Sequence, residues 1–232
     1  QASSPMDASP SALTPPLRRT IVYIDAFNWY FGIFAQRPAW KWLNLESFFA
    51  SLRPDEQIVA IKFFTALVEP KLRTSPRRDR QQRYLSALRT LPKTTVVLGK
   101  YQNRTVTCRA AACGRNLEYE VGEEKKTDVN IAVHLIDDAL RDRMDCALVV
   151  SGDSDLEPAV AWVRANHPTI KQTVYIPTLP EEAKERRNDF YQSIGVTCRP
   201  LPLDGITRHL LPSSIPLPSG AVLERPRDWP AP

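Results

Sequence analysis

No run of apolar residues in this 232-residue chain approaches the roughly 20 residues that a membrane-spanning helix requires. The first 16 residues also lack the basic segment followed by an apolar core that marks a secretory signal. We therefore expect a cytoplasmic protein without membrane contact. Apolar residues make up 43% of the chain, which is typical of a globular protein with a substantial core.

Histidine is scarce, and the phosphate-binding loop motif G-x-x-x-x-G-K-[ST] does not occur. The missing loop argues against an ordinary P-loop kinase or GTPase. The three histidines, His134, His167 and His209, lie outside the acidic motifs described below, which argues against a zinc hydrolase or a histidine-based nuclease. Asp25 lacks the second aspartate that an aspartyl-phosphate phosphatase would carry two residues later.

The chain has only four cysteines. Cys146 and Cys198 lie in apolar strand-like segments and are predicted to be buried thiols. Cys108 and Cys113 form a C-x4-C pair, a spacing that could supply two zinc ligands. No histidine or third cysteine lies close by, so the alternatives are two free thiols on a hairpin and an incomplete zinc ribbon.

Positive charge is concentrated in one segment of a chain whose net charge is +5. Residues 71–93 hold eight basic residues and a single acidic one, Asp79. A clustered basic stripe indicates phosphate binding, and Arg77 and Arg80 are its candidate RNA contacts. The alternative is a solvated helix face without a ligand.

Composition divides the chain into three parts. Residues 1–18 are rich in proline, serine and alanine and are predicted to form a disordered N-terminal arm. Residues 19–199 are predicted to form one large globular domain. Residues 200–232 carry eight of the 21 prolines and are predicted to be an extended Pro-rich tail with a short helix near residues 206–211.

Strand and helix patterns alternate through the globular part. Strands are predicted at residues 20–25, 57–67, 94–100, 146–151, 172–176 and 196–198. Helices are predicted at residues 27–34, 44–52, 75–91, 128–141, 157–165 and 181–192, with a hairpin over 103–121. This alternation predicts a three-layer α/β/α fold with a mostly parallel sheet.

Acidic residues from three distant segments are expected to meet at one edge of that sheet. Asp25 ends the first strand, Asp128 opens a helix, and Asp153 and Asp155 follow an apolar strand in the segment SGDSDL. Ligands of open α/β sheets bind beyond the carboxyl ends of the strands. Four carboxylates gathered there would repel each other unless a cation lay between them. Oxygen ligands alone favour Mg²⁺ or Mn²⁺ over zinc.

Helix capping is the competing explanation for the same aspartates. Asp25 could cap the helix that follows it, and Asp128 lies where a helix dipole favours an anion. Ser154 and Glu157 fit a capping box, and Asp155 could be a cap as well. None of these roles accounts for Asp153.

Neighbouring polar residues complete the predicted site. Asn28 lies one helical turn after Asp25, where its amide could orient the site or contact the substrate. Lys125 and Lys126 precede Asp128 and suit a phosphate backbone. A hard divalent cation among carboxylates activates water for in-line displacement at phosphorus, so the predicted reaction is hydrolysis of a phosphodiester.

Taken together, four segments of the chain resemble the NYN domain of the PIN-like nuclease superfamily, in particular its LabA-like branch. The resemblance extends over about residues 20–198, and the four segments occur in the family's order: YIDAFNWYF, KWLNLESF, EEKKTDVNIAVHLIDDA and VVSGDSDLEPAV. It implies a five-stranded parallel sheet in the order 3-2-1-4-5 and a ribonuclease that depends on Mg²⁺ or Mn²⁺. The metal ligands that it implies are Asp25, Asp128, Asp153 and Asp155.

The resemblance also implies supporting roles. Asn28 would be the polar partner within the first motif, and Ser151 would support the site from the end of its strand. Related nucleases carry a glutamate on an early helix, for which Glu46 is the nearest candidate. The cysteine pair would be an incomplete version of a metal knuckle found in related sequences.

Two other functions fit the sequence. One is an RNA-binding or regulatory module with a weak or silent nuclease site, whose partners would use the aromatic cluster of Trp29, Tyr30, Trp40 and Trp42. These aromatic residues are more typical of a core or of the face of a homodimer than of a base-stacking platform. The other is a phosphatase that acts on a small phosphorylated molecule.

Overall fold

The structure, a computed structural model, describes residues 16–67, 76–108, 117–182 and 189–231. Nearly all of the predicted N-terminal arm therefore lies outside the described residues. So do Cys113, residues 71–75 of the basic segment, and residues 183–188 of the last predicted helix.

Ten strands occur in the described part of the chain. In chain order they are β1 (Arg18–Asp25), β2 (Glu56–Thr65), β3 (Thr94–Leu98), β4 (Lys100–Thr107), β5 (Glu118–Lys125), β6 (Cys146–Val150), β7 (Lys171–Ile176), β8 (Thr197–Pro200), β9 (Ser214–Pro216) and β10 (Val222–Glu224). Six of them form a parallel sheet in the order β3-β2-β1-β6-β7-β8.

Six α-helices accompany the strands. They are α1 (Ala26–Trp29), α2 (Leu45–Leu52), α3 (Pro76–Leu88), α4 (Thr127–Leu140), α5 (Glu157–Asn166) and α6 (Asp189–Ser193). A π-helical segment, Tyr30–Phe34, continues α1 without a break. Within the described residues, no helix combines the length and the apolar character needed to cross a bilayer.

The predicted α/β fold is confirmed, with one additional strand. The order 3-2-1-4-5 is kept by β3, β2, β1, β6 and β7. The sheet has six strands rather than five because β8 pairs in parallel with the outer edge of β7. This strand corresponds to the short segment predicted at residues 196–198.

The side chains of β1 alternate between two cores, which explains the three layers. Val22 and Ile24 pack with residues of α1, α2 and α3 on one face of the sheet. Ile21 and Tyr23 pack with residues of α4, α5 and α6 on the other. A strand segment buried on both faces has no solvent side, which explains the apolar run at residues 21–24.

Two segments lie outside the main sheet. Strands β4 and β5 form an antiparallel hairpin, as predicted around Cys108, and the hairpin leads directly into α4. Residues 200–231 lie against the domain, with a short 3-10 helix at Ile206–His209 and the β9–β10 hairpin. Trp229 packs between Trp42 and Tyr84. The domain boundary at residue 199 stays a prediction.

Candidate metal centre

Three aspartates from separate motifs converge at the carboxyl edge of the sheet. One carboxylate oxygen each of Asp25, Asp128 and Asp153 lies within 4.8 Å of the other two. The end of β1, the first turn of α4 and the loop after β6 bring them there. Three oxygen donors this close fit a hard divalent cation such as Mg²⁺ or Mn²⁺.

Asp25 is the most buried of the three, with 2% of its surface exposed. Its Oδ1 accepts hydrogen bonds from the backbone N–H groups of Phe27 and Asn28, both at 3.1 Å. Its Oδ2 accepts from Asn28 Nδ2 at 2.6 Å and from Ser151 Oγ at 2.9 Å. Burial raises the pKa of Asp25, while these donors act in the opposite direction by favouring the carboxylate.

Asn28 and Ser151 tie the first motif to the loop after β6. Asn28 Oδ1 accepts from the backbone N–H of Gly152 at 3.1 Å. Ser151 Oγ accepts from the backbone N–H of Asp153 at 3.0 Å. Asn28 therefore holds Asp25 with its amide nitrogen and the loop with its amide oxygen, whereas the Ser151 hydroxyl makes both contacts. Outer contacts of this kind fix the orientation of metal ligands.

Asp128 is held at the sheet edge by a close approach between the end of β3 and the start of α4. Gly99 makes this approach possible, because a Cβ atom there would lie 2.6 Å from Thr127 Oγ1. Lys126 turns the chain into the helix with a left-handed φ of 76°. Burial and the charges of Asp25, Asp153 and Asp155 raise the pKa of Asp128 to about 6.

Asp155 lies beside the cluster rather than within it. The three-residue group that could share one ion does not include it, and its side chain is exposed. Its backbone N–H donates to Asp153 Oδ1 at 2.9 Å, so Asp153 caps the short 3-10 helix Ser154–Leu156. Asp25 likewise caps α1. Capping and convergence therefore coexist in both aspartates. For Asp25 they were predicted as alternatives, and for Asp153 no capping role was predicted.

Of the other predicted residues, Lys125 and Lys126 adjoin the cluster in the chain, and Glu46 lies at the opposite edge of the sheet. Lys125 and Lys126 are exposed and directly precede the helix that carries Asp128. Glu46 lies elsewhere: its Oε1 accepts from the backbone N–H of Lys93 at 2.6 Å and from Thr94 Oγ1 at 3.0 Å. Thr94 begins β3, so Glu46 is at the amino edge of the sheet, away from the aspartates.

Arg77 and Arg80 line a cavity of about 360 Å³ on the α3 side of the same carboxyl edge. Its wall is largely aromatic and comes from α1, the π-helical segment, β2, α3 and the C-terminal segment. Sequence patterns did not predict that Phe31, Tyr84 and Trp229 line a cavity at this edge of the sheet. The only sequence signal was the density of aromatic residues after Asp25, which is equally typical of a core.

Comparison with known proteins places the chain in a family. Residues 19–193 match the family model of the NYN domain. A 6-hydroxy-3-succinoylpyridine 3-monooxygenase of Pseudomonas putida is 29% identical, and the alignment covers 69% of this chain and 60% of that protein. A protein of unknown function from Vibrio parahaemolyticus is similar in structure, with a TM-score of 0.49 and 17% identity, over 85% of this chain and 99% of that one.

The chain thus spans 60% of the length of the curated relative that it matches. Proteins with an NYN domain are generally nucleases, and three clustered aspartates agree with that chemistry. The match to the family model extends over three quarters of the chain and includes all three aspartates of the cluster. This chain therefore belongs to the NYN-domain family of the PIN-like nuclease superfamily.

Proposed function

We propose that this protein is a divalent-metal-dependent nuclease that hydrolyses phosphodiester bonds of RNA. The observation that carries the proposal is the convergence of Asp25, Asp128 and Asp153 within 4.8 Å, from motifs more than 20 residues apart in the chain. Carboxylates this close repel each other, and this repulsion adds to the effect of burial in raising the pKa of Asp128. A bound dication removes that repulsion, and membership of a nuclease superfamily supports the same chemistry.

In the proposed site, Asp25, Asp128 and Asp153 hold Mg²⁺ or Mn²⁺. The ion supplies Lewis acidity toward the phosphate and the attacking water. Asn28 and Ser151 keep the Asp25 carboxylate in one orientation, through the contacts at 2.6 Å and 2.9 Å. Asp155, exposed at the rim, adds negative charge and can contact a second ion or a water. Lys125 and Lys126 contact the phosphate backbone of RNA beside the cluster.

Replacing Asp153 tests this proposal, since its carboxylate is less buried than that of Asp25 and its loss leaves the core intact. We expect Asp153→Asn to lower the rate of RNA cleavage in Mn²⁺ by a factor of about 100 or more, as losses of transition-state stabilisation at such sites do. Asp55→Asn is the matched control, because Asp55 is an exposed aspartate just before β2, at the opposite edge of the sheet. Cleavage of fluorescently labelled RNA measures both.

The outcomes separate the alternatives. If Asp153→Asn cleaves as fast as the unmodified protein, the metal site is wrongly assigned. If the unmodified protein binds RNA with a steep salt dependence but yields no product with any divalent ion, the chain is an RNA-binding or regulatory module instead. Release of inorganic phosphate from a small substrate without RNA cleavage selects a phosphatase.

A second candidate comes from the relative named for a substituted pyridine. The aromatic-lined cavity beside the aspartates favours it, since a cavity of about 360 Å³ could hold a small heteroaromatic acid. Oxygen consumption in the presence of a pyridine carboxylic acid and a nicotinamide reductant, without RNA cleavage, would select this candidate.

A further inference from the structure

The cavity on the α3 side of the sheet edge combines aromatic walls with a basic rim. Its walls include Phe27, Phe31, Tyr84 and Trp229, and Thr65 and Gln81 add neutral polar groups. Phe31 is 64% exposed although it is large and apolar, and it forms ring contacts with Phe27 and Tyr30 at centroid distances of 6.3 Å and 5.2 Å. An exposed ring beside a half-buried one gives a planar ligand a surface on which to stack.

The cavity adjoins the aspartate cluster through the backbone. Ala26 and Phe27 line it and directly follow Asp25 in the chain. Thr65, which also lines it, follows Phe64, and Phe64 is the register partner of Asp25 on the neighbouring strand. The carboxylates lie on the α4 side of the end of β1, and the cavity lies on the α3 side. A chain of nucleotides crossing that strand end would reach both.

Positive charge surrounds the mouth of the cavity. Arg77 is exposed at its rim, and Arg80 lines it while forming an ion pair with Asp228 at 2.7 Å. A neighbouring groove of about 460 Å³ shares Arg80 and Asp228 with the cavity. Its other charged residues are Arg83, Arg225, Arg227, Asp79 and Glu224. Arginine outnumbers the carboxylates along this path, which suits a phosphodiester backbone.

We propose that the cavity binds the base of a nucleotide that flanks the scissile phosphate of the RNA substrate. The proposal rests on the nuclease function proposed above and adds a base-binding site to it. Phe27 and Phe31 provide the stacking surface, and Arg77 and Arg80 contact the adjoining phosphates. Thr65 and Gln81, which hydrogen-bond each other at 3.5 Å, form the neutral polar part of the wall. Stacking of this kind accepts any base, because every base has a π-face.

Ligand-observed NMR tests binding separately from cleavage. Saturation transfer from the protein to 5′-AMP and 5′-UMP is measured in EDTA, so that no metal ion can hold the phosphate. We expect the base protons to receive more saturation than the ribose protons. Phe31→Ala should weaken binding by about 5- to 150-fold, the range for one base stacked on one aromatic ring. Because Phe31 is exposed, the variant retains its fold.

Two control variants match the two kinds of change. Phe190→Ala removes another exposed phenylalanine, and Arg89→Gln removes another exposed arginine from the basic segment. Neither residue lines the cavity. We expect both control variants to bind the mononucleotides like the unmodified protein, whereas Arg77→Gln should weaken binding of the nucleotides more than binding of the uncharged nucleosides.

RNA cleavage in Mn²⁺ provides the second arm. Phe31→Ala should raise the KM for a short RNA with little change in kcat. With an abasic nucleotide beside the cleaved bond, the KM values of Phe31→Ala and the unmodified protein should be equal. If RNA is cleaved and Phe31→Ala leaves KM unchanged, the base site is wrong and the nuclease assignment stands. If the mononucleotides bind as expected but no RNA is cleaved, the base site stands and the nuclease assignment falls.

The same NMR experiment with pyridine-3-carboxylate tests whether the cavity binds a heteroaromatic acid instead of a nucleotide. Binding of this acid in the cavity, together with no saturation transfer to either mononucleotide, would overturn the proposal. Binding of the mononucleotides that is equal in the unmodified protein and in Phe31→Ala would overturn it as well.

Discussion

Each aspartate of the cluster has both a local and a long-range role. Asp25 caps α1 with one oxygen and contacts Asn28 and Ser151 with the other, while its carboxylate also faces Asp128 and Asp153. A buried carboxylate that accepts four hydrogen bonds keeps one orientation whether or not an ion is bound. This preorganisation lowers the cost of binding an ion, because the ligand does not need to be immobilised.

The protonation of Asp128 predicts how metal binding depends on pH. Its pKa of about 6 in the folded protein lies above the 3.8 of an ordinary aspartate, so an ion must displace a proton below about pH 6. Mn²⁺ affinity should therefore fall by about fivefold as pH decreases from 6 to 5, and it should level off above 7. Isothermal titration calorimetry at several pH values measures it.

Without metal, the stability of the protein should change with pH in the direction opposite to that of Mn²⁺ affinity. Between pH 4 and 6 the folded protein retains a proton on Asp128 that the unfolded chain releases, so the free energy of unfolding decreases as pH rises through this window. The raised pKa of Asp25 acts with the same sign. In Asp128→Asn, both the proton displacement and this decrease should be reduced. Mn²⁺ affinity that is constant from pH 5 to 7 would contradict this electrostatic account.

At the scale of elements, the α1–π-helix segment is positioned by one close approach. A Cβ atom on Gly32 would lie 1.9 Å from the carbonyl oxygen of Pro177, in the loop after β7. The segment therefore reaches this loop only with glycine at that position. Short π-helical segments are frequent at functional sites, and this one contributes Tyr30, Phe31 and Phe34 to the wall of the aromatic cavity.

Gly32→Ala tests this contact, because its expected effect on stability is opposite to that of most glycine-to-alanine substitutions in helices. In an exposed helix, replacing glycine by alanine stabilises by about 0.5–1 kcal/mol. Here the overpacking against backbone should instead destabilise the protein by about 1–3 kcal/mol or more. Urea unfolding measures the difference, with Gln36→Ala as a control at an exposed position just after the segment. A variant as stable as the unmodified protein would show that the approach is not tight.

Most elements of the sheet could be predicted from the sequence, because strands buried on both faces are apolar throughout and end at polar turns. The π-helical segment could not, since its period differs from an α-helix only over Tyr30–Phe34. The membership of β8 in the sheet could not be decided either, because four residues at an edge carry little pattern. Asp25 and Asp153 were predictable because the carboxyl ends of parallel strands share one edge, and Asp128 because it opens an apolar helix.

The cavity was not predictable for a different reason. Its wall joins Phe31, Tyr84 and Trp229, which lie about 50 to 200 residues apart in the chain. They belong to elements whose relative placement no local pattern gives. Arg77 and Arg80 were predicted as RNA contacts from charge alone, and that assignment stays a prediction. Their place on the α3 side depends on how the helix packs against β2 and the C-terminal segment.

For the whole molecule, the C-terminal segment contributes a third apolar cluster. Trp229 is 8% exposed and contacts Trp42 and Tyr84 at centroid distances of 6.2 Å and 6.1 Å. Ile215 and Leu211 belong to the same cluster. A Pro-rich segment can pack in this way because its prolines limit the conformations of the unfolded chain and so reduce the entropy lost on ordering.

Trp229→Ala should therefore destabilise the whole domain, by about 3–5 kcal/mol as for other buried aromatic truncations. Trp162→Ala is the matched control, because Trp162 is 37% exposed on α5 and should cost much less. Thermal unfolding followed by circular dichroism compares the two variants. Equal costs would mean that the C-terminal segment contributes no more to stability than an exposed side chain does.

The central claim is that Asp25, Asp128 and Asp153 share a divalent ion. A crystal soaked in Mn²⁺ and measured by anomalous scattering tests it most directly, because Mn²⁺ scatters anomalously and the protein's light atoms scarcely do. We predict an anomalous peak within about 2.0–2.6 Å of one oxygen from each of the three carboxylates, as for hard cations in proteins. No peak there at saturating Mn²⁺, or a peak held by other residues, would contradict the account.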